Sequence, residues 1–211
     1  PTPDKTTDEG LFDRPYEIAH QSHRQVSVQS PLPLGFWRSV GHSMNAFFAE
    51  SFMDECAFAA GKDPYAFRRV LLQEHPRHLK VLETVASKSG WGKPLPNGRA
   101  RGMALHQSFG SIVAQVAEVS LEKPQKLSTP PGRSFIRVHQ VWCAIDCGFA
   151  VNPNIIAQQM ESSVIFGLSA ALFGEITVQE GRVQQSNYHD YQVLRLEQAP
   201  VVHTTITQSN Y

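Results

Sequence analysis

The order of its helical and strand patterns most constrains what this chain can fold into. Three helical patterns follow one another between residues 42 and 90, and β-rich segments dominate from about residue 102 onward. The longest helical pattern, at 42–60, repeats apolar residues four positions apart, and Gly61 follows where a glycine commonly ends a helix. The repeating residues, which we expect to form its packing stripe, are Met44, Phe48, Phe52 and Cys56. Helices followed by strands indicate an α+β fold instead of a regular βαβ alternation.

The remaining patterns predict a mixed sheet with packed helices. Asp63-Pro64 and Pro76 begin the second and third helices, and Gly90 closes the third. The segments predicted as strands are 24–30, 111–121, 134–146 and 201–207. The other predicted elements are a loop around Pro130-Pro131-Gly132, a helix at 155–172 and a hairpin that turns at Glu180-Gly181.

Composition excludes several classes of function. The 211 residues carry 19 basic and 19 acidic side chains, so no basic surplus favours binding to nucleic acid. No segment approaches the apolar length that we expect of a membrane span. Three cysteines, an odd number in a chain of this length, do not describe a disulfide scaffold, and we expect reduced thiols.

The sequence divides into an N-terminal arm and one larger domain. Residues 1–21 are polar and lack apolar periodicity, which predicts an arm or a linker. Residues 22–211 are predicted to form an α+β domain with a helical part at about 42–90 and a β-rich part at about 102–211. The last strand pattern has no closing element after it, so we expect this domain to be incomplete.

A loop bounded by glycines at 35–41 is the first candidate functional site. Its aromatic pair and Arg38 suit a tight loop that presents backbone N–H groups and a cation to an anionic ligand. The loop also enters a helix N-terminus, where unpaired N–H groups and the helix dipole favour negative charge. A loop that only joins two elements explains the same residue types, and on residue types alone that structural interpretation is favoured.

A second turn that leads into a helix lies between residues 146 and 153. Asp146-Cys147-Gly148 and Asn152-Pro153 precede the helix that carries Gln159. An amide in the first turns of a helix can donate and accept hydrogen bonds with a heterocycle. Taken alone, however, an ordinary turn followed by a surface glutamine is the simpler explanation of this segment.

No set of protein ligands for a metal is evident in the sequence. His75 and His78 flank Pro76, but no cysteine or carboxylate at a matching spacing accompanies them. Cys143 and Cys147 lack the second cysteine pair of a tetrahedral site, and we expect both to pack as small apolar side chains. We therefore predict no metal bound directly by this chain.

Several segments, taken in order, carry a resemblance to one family. They are Phe36-Trp37-Arg38-Ser39-Val40-Gly41, Ala46-Phe47-Phe48-Ala49-Glu50-Ser51-Phe52-Met53-Asp54-Glu55, Gly61-Lys62-Asp63-Pro64 with Arg68, Ser108-Phe109-Gly110-Ser111, Val113-Ala114-Gln115-Val116-Ala117-Glu118-Val119, Asp146-Cys147-Gly148, Asn152-Pro153, Gln159 and Phe166-Gly167-Leu168. In this order they resemble the molybdenum-cofactor subunit of the xanthine oxidase family. The branch they resemble contains isoquinoline 1-oxidoreductase beta subunits and bacterial aldehyde dehydrogenase molybdenum subunits. The resemblance runs from about Val26 to the end of the chain.

The resemblance implies part of a molybdenum hydroxylase that oxidises an aldehyde or an N-heterocycle with oxygen from water. Its cofactor would be molybdenum held by a pterin, molybdopterin or its cytosine dinucleotide. Partners would be an iron–sulfur subunit or domain and the remaining part of the molybdenum subunit. By resemblance, Val40 lines the substrate pocket at a position that is aromatic in purine-oxidising relatives. The residues implied to bind the cofactor are Phe36, Trp37, Arg38, Ser39, Gly41 and Gln159.

The resemblance also implies a general-base glutamate in a glycine-rich segment that this sequence lacks. Nothing between Thr205 and Tyr211 matches that segment, so we expect no catalytic residue in this chain and no turnover by the chain alone. The alternative is a non-catalytic α+β binding or scaffold module that keeps the fold. Localisation stays open between the bacterial cytoplasm and the periplasm, and the resemblance favours the periplasm.

Overall fold

The computed structural model describes residues 5–122 and 135–209. The loop predicted around Pro130-Pro131-Gly132 lies outside these residues. The helices are α1 (Lys5–Asp8), α2 (Gly41–Ala59), α3 (Pro64–Leu71), α4 (Pro76–Ser89) and α5 (Pro153–Phe173), with a short 3-10 helix at Leu196–Gln198. The strands are β1 (Arg99–Ser108), β2 (Ser111–Glu122), β3 (Phe135–Asp146), β4 (Val178–Gln179), β5 (Arg182–Val183) and β6 (Val201–Ile206).

The described strands form a four-stranded mixed sheet and a separate hairpin. The sheet order is β1-β2-β3-β6, with antiparallel pairing from β1 to β3 and parallel pairing between β3 and β6. The two-residue turn between β4 and β5 has positive φ at Glu180 and Gly181, as tight hairpins require. The predicted α+β architecture, a mixed sheet with packed helices, is confirmed.

The two faces of the sheet bury two separate apolar clusters. On one face, α2 packs against β1 and α4 packs against β2 and β3, while α3 packs against α2 and α4. On the other face, β3 packs against α5 through Met160 and Val164. Ala144 faces the first cluster while its neighbours Cys143 and Ile145 face the second, because successive side chains of a strand point to opposite faces. The clusters therefore fix the helical layer and α5 on opposite sides of β3.

The helix boundaries follow the local signals in the sequence. The Asp63 side chain accepts hydrogen bonds from the N–H groups of Tyr65 and Ala66 and caps α3. Gly90 ends α4 in the left-handed conformation at φ 65°, which glycine adopts without a steric penalty. The Asn152 side chain caps α5 in the same way as Asp63 caps α3. The helices predicted to begin at Asp63-Pro64 and at Pro76 and the helix predicted at 155–172 are confirmed as α3, α4 and α5, within two residues at each end.

The predicted packing stripe of α2 is wrong, although the helix itself is confirmed. Met44, Phe48 and Phe52 are 52%, 58% and 59% exposed. The face that α2 buries carries mostly polar and small residues, with Met53 as its one large apolar side chain. Its members are Gly41, His42, Asn45, Ala49, Glu50, Met53 and Ala57. The helix is rotated so that the expected apolar stripe faces solvent. Its buried polar side chains form hydrogen bonds with residues of other elements, and these bonds fix this orientation.

Glu50 is the centre of a buried polar cluster between α2 and its neighbours. Its carboxylate accepts hydrogen bonds from the Arg68 Nε at 3.0 Å, the Tyr16 hydroxyl at 2.9 Å and the Leu105 N–H at 2.8 Å. Arg68 is completely buried and also contacts the Asp54 carboxylate at 2.6 Å. Burial raises the pKa of the Glu50 carboxyl, and Arg68 and the Leu105 N–H only partly offset that effect. The cluster joins α2, α3, β1 and the N-terminal segment.

The segment before α2 contains no strand, so the strand predicted at 24–30 is wrong. Val26 and Val28 are 82% and 80% exposed, and no described strand pairs with this segment. The alternation predicts a strand, but a strand also needs a partner for its backbone hydrogen bonds, and none of the described strands lies beside it. Nearer the N-terminus, Tyr16 is buried in the first apolar cluster. The boundary predicted at residue 21 stays a prediction.

Among the described helices, α5 alone is long and apolar enough to cross a membrane by length and composition. It has 21 residues, with a mean hydropathy of 1.2. The prediction that no segment approaches this length is therefore wrong by that measure. Two of its residues, Met160 and Val164, are buried against the sheet, which accounts for the apolar character on that side of the helix.

His106 is expected to make the stability of the fold depend on pH between about 6.5 and 4. Its Nε2 lies 3.0 Å from the Nδ1 of His42. Burial, with a smaller contribution from His42, lowers the pKa of His106 from 6.5 to about 4, whereas Asp13 opposes this shift. In this window the unfolded chain binds a proton that the folded chain does not, so the free energy of unfolding falls as pH falls.

Thermal or urea unfolding at several pH values measures this effect. His106→Gln, which retains a hydrogen-bonding side chain, should remove about 1–2 kcal/mol of the decline in stability between pH 6.5 and 4. His20→Gln, at an exposed position, is the control and should leave the decline unchanged. An unchanged slope in the His106→Gln variant would contradict the assignment.

Candidate functional site

The loop at 35–41 is a tight turn that leads directly into α2. The Val40 N–H donates to the Trp37 carbonyl at 3.1 Å, and the His42 N–H donates to the Ser39 carbonyl at 3.0 Å. The Ser39 hydroxyl donates to the Arg38 carbonyl at 2.6 Å. No side chain caps the N-terminus of α2. The start of this helix therefore keeps backbone N–H groups that no side chain of the described residues satisfies.

The backbone of this loop takes an uncommon conformation. Ser39 and Val40 have φ values of 64° and 51°, in the left-handed region. A β-branched residue rarely adopts positive φ, so Val40 is held there at a cost of about 1–3 kcal/mol. Gly41 has a packing reason to be glycine, because an added Cβ would lie 2.4 Å from the Thr6 carbonyl oxygen. The contact with the N-terminal segment thus fixes the point where the loop enters the helix.

The loop rests on Phe166 of α5. The Arg38 guanidinium carbon lies 5.1 Å from the centre of the Phe166 ring, a cation–π distance. The Trp37 and Phe166 ring centres are 6.2 Å apart with an interplanar angle of 59°. The guanidinium forms no hydrogen bond or ion pair with any residue that the structure describes. Its N–H donors therefore stay available to a ligand.

Gln159 lies on the same side of α5 as Phe166. The two residues are seven positions apart, which corresponds to two helical turns and a rise of about 10 Å. Gln159 is exposed, as are Ser162 and Ser163 between it and Phe166. These small, exposed residues lie between Gln159 and Phe166, so the loop on Phe166 and the Gln159 amide lie along the same open side of the helix.

Asp146 fixes the turn that begins α5. Its buried carboxylate accepts two hydrogen bonds from the Arg77 guanidinium, at 3.0 and 3.1 Å. It also accepts from the Gly148 N–H at 3.0 Å and the Ser209 hydroxyl at 2.7 Å. Burial alone would raise the pKa of Asp146, but the hydrogen bonds from Arg77, Ser209 and Gly148 outweigh it and lower the pKa to about 2. Asp146 acts on the turn and makes no described contact with the loop at 35–41.

The structure brings some of the predicted site residues together and leaves others apart. Trp37 and Arg38 meet α5, whereas Phe36 is 84% exposed and extends into solvent. Ser39 and Val40 are half-buried in the turn that joins Arg38 to α2. Sequence reasoning missed Phe166 as a site residue, although its motif is part of the resemblance. A helical projection that placed it beside Gln159 could have pointed to it.

No set of three or more His, Cys, Asp or Glu side chains within 5–122 and 135–209 is arranged to hold a metal ion. His75 contacts Glu17 at 2.8 Å and His78 contacts the Gln107 amide oxygen at 2.7 Å. Cys143 is buried, and that burial raises the pKa of its thiol to about 12. The donors near the loop are instead N–H groups, a guanidinium and an amide. Such donors suit the polar edge and anionic groups of a bound organic cofactor.

The chain is similar in sequence to several known proteins. The family model of the molybdopterin cofactor-binding domain matches residues 127–200. The beta subunit of isoquinoline 1-oxidoreductase from Brevundimonas diminuta is 31% identical over 198 residues, which are 92% of this chain and 24% of that protein. A nicotinate dehydrogenase subunit of Pseudomonas putida is 27% identical over 206 residues, which are 89% of this chain and 16% of that protein.

The fold and the matched domain define a molybdopterin-binding α+β segment. The chain belongs to the molybdenum-cofactor subunits of the xanthine oxidase family, as the order of its motifs predicts. It spans about a quarter or less of the length of the curated relatives named above. The quinoline 2-oxidoreductase structure from Pseudomonas putida 86 overlaps 47% of this chain and 12% of that chain, at 17% identity and a TM-score of 0.40.

Proposed function

We propose that this chain supplies part of the molybdenum–pterin site of a molybdenum hydroxylase, through the loop at 35–41 and helix α5. The observation that carries the proposal is the contact of Trp37 and Arg38 with Phe166. This contact sets the loop beside the open surface that Gln159 borders. Membership of the xanthine oxidase family supports the nature of the cofactor.

The residues of this chain would bind and orient the cofactor. The Arg38 guanidinium and the N–H groups at the start of α2 suit negatively charged groups. The Gln159 amide can hold a pterin edge by donating and accepting hydrogen bonds. Trp37 and the backbone of Ser39 and Gly41 would shape the wall of the site, with Phe36 beside them.

When bound, a molybdenum–pterin cofactor supplies the two-electron oxidation of a substrate carbon with oxygen from water. Val40, held in the left-handed conformation beside Arg38, would line the substrate side of the loop. We propose an aldehyde or an N-heterocycle as substrate and an iron–sulfur subunit or domain as electron acceptor. The cofactor would be molybdopterin or its cytosine dinucleotide. A carboxylate from another segment would act as the general base, so this chain alone is expected to be inactive.

Substitution of Gln159 in the parent subunit tests the proposed site. Gln159→Ala should retain about tenfold less molybdenum and pterin after dialysis, because lost hydrogen bonds to the heterocycle cost about 1–2 kcal/mol. Phe166→Ala, which removes the support of the loop, should act in the same direction. Molybdenum is measured by mass spectrometry and pterin by fluorescence after oxidation.

Gln158→Ala is the matched control for this experiment. Gln158 is also exposed but lies about 100° around the helix, so its substitution should leave the cofactor content unchanged. Equal retention in the Gln158→Ala and Gln159→Ala variants would contradict the assignment of Gln159. A parent subunit that folds with neither molybdenum nor pterin would overturn the proposed function and favour a non-catalytic α+β module.

A further inference from the structure

Helix α2 presents an apolar surface to solvent. We call it the aromatic face of α2, and its residues are Met44, Phe47, Phe48 and Phe52. Phe47, Phe48 and Phe52 are 68%, 58% and 59% exposed. Together their rings expose on the order of 300 Å² of apolar surface, which is the size at which a patch on a monomer is often functional.

The orientation of α2 is fixed by hydrogen bonds on its opposite side. The Asn45 amide donates to the carbonyls of Thr7 and Glu9 at 2.7 and 2.9 Å. Glu50, on the same side, is held by Arg68 and by the Leu105 N–H. Rotation of the helix to bury the aromatic face would leave these polar groups unpaired, at a cost that the fold avoids. The aromatic face therefore stays exposed unless another surface covers it.

The molecule as a whole exposes more surface than a self-contained protein of its mass. Its accessible surface is 14619 Å². A monomeric globular protein of 23.5 kDa is expected to expose about 9,800 Å². The described residues therefore leave exposed some surface that a self-contained protein of this mass would bury.

We propose that the aromatic face of α2 is the surface on which the remainder of the molybdenum subunit docks. The occupant is an apolar segment of the same parent subunit, because this chain spans only 24% and 16% of its relatives. A subunit as long as these relatives has most of its residues outside this chain. Covalent linkage would hold those residues near this face at a high effective concentration. The proposal rests on the proposed function only in placing the chain within such a subunit.

Site-resolved thiol labelling of the parent subunit tests this docking surface. The Phe48→Cys variant should react with a maleimide at least tenfold more slowly when native than when unfolded in urea, as read by mass spectrometry of its peptide. The matched control is Val70→Cys on α3, where Val70 is 62% exposed, and it should react at similar rates in both states. A native Phe48→Cys variant that reacts as fast as the unfolded one would overturn the proposal.

Two further readouts separate this proposal from its competitors. Protection of the Phe48→Cys variant that appears only where light scattering shows a dimer would assign the face to a second copy and overturn the proposal. Protection in a monomeric parent subunit supports it. The labelling rate does not depend on the cofactor, so protection in a parent that lacks molybdenum would reject the proposed function and keep the docking surface.

Discussion

Glu50→Gln is expected to lower the free energy of unfolding by about 3–4 kcal/mol, because it leaves the buried Arg68 charge without its main partner. The Glu50 carboxylate accepts hydrogen bonds from three different groups. Arg68 and the Leu105 N–H donate to the same oxygen, Oε2, so an amide oxygen at that place keeps both hydrogen bonds but carries no negative charge, and the NH₂ group faces the Tyr16 hydroxyl. The loss therefore exceeds that of one hydrogen bond. Asp54, which keeps its contact with Arg68, limits the effect to the lower part of the range for broken buried pairs.

Urea unfolding followed by circular dichroism measures this change in stability. The control is Glu55→Gln on the same helix, since Glu55 is exposed and its substitution should change stability by no more than about 0.5 kcal/mol. Similar midpoints for the two variants would show that the buried cluster does not hold α2 in place.

Asp146→Asn is expected to destabilise the chain by about 2–3 kcal/mol and to loosen the turn before α5. The carboxylate satisfies Arg77, the Gly148 N–H and the Ser209 hydroxyl together, and an amide cannot accept from all of them. Because the same turn positions α5, the parent subunit should also retain less cofactor. Urea unfolding of the chain and molybdenum content of the parent measure the two effects.

The Asp146→Asn variant should also change the response to acid. Hydrogen bonds lower the folded-state pKa of Asp146 from 3.8 to about 2, despite the opposing effect of burial. Between these values the unfolded chain binds a proton that the folded chain does not, so the stabilisation present above pH 4 is lost as pH falls toward 2. The variant should show less of this loss in unfolding experiments across that window. Glu161→Gln, at an exposed position of α5, should retain it.

Local signals in the sequence were sufficient to place the four longer helices, α2 to α5, and the class of fold, but not the four-residue helix α1. Asp63, Gly90 and Asn152 act at the ends of helices as their residue types predict. The turn at Glu180-Gly181 was also predictable from Gly181, which adopts positive φ without a steric penalty, although Glu180 takes positive φ as well. These features depend on a few neighbouring residues, so a single sequence contains the necessary information.

Features that depend on distant partners were not predictable. The orientation of α2 is decided by Arg68, which is 18 positions from Glu50 in the chain. Strand β1 has no β-branched residue and forms because β2 pairs with it along its whole length. For the candidate site, the loop and Gln159 could be named from the resemblance. The role of Phe166 required the contact between two elements that are more than a hundred positions apart.

The parallel pairing of β3 with β6 imposes an order on folding. Strands β1, β2 and β3 follow one another in sequence, so their antiparallel ladders close smaller loops than the pairing of β3 with β6 does. Gln140 pairs with Val201, so closing this contact orders a loop of roughly sixty residues that includes α5 and the β4–β5 hairpin. On the ribosome, the three-stranded sheet can form with its β3 edge free until β6 emerges. The sheet is completed last at the edge beside α5, so the helix that carries Gln159 reaches its final position late in synthesis.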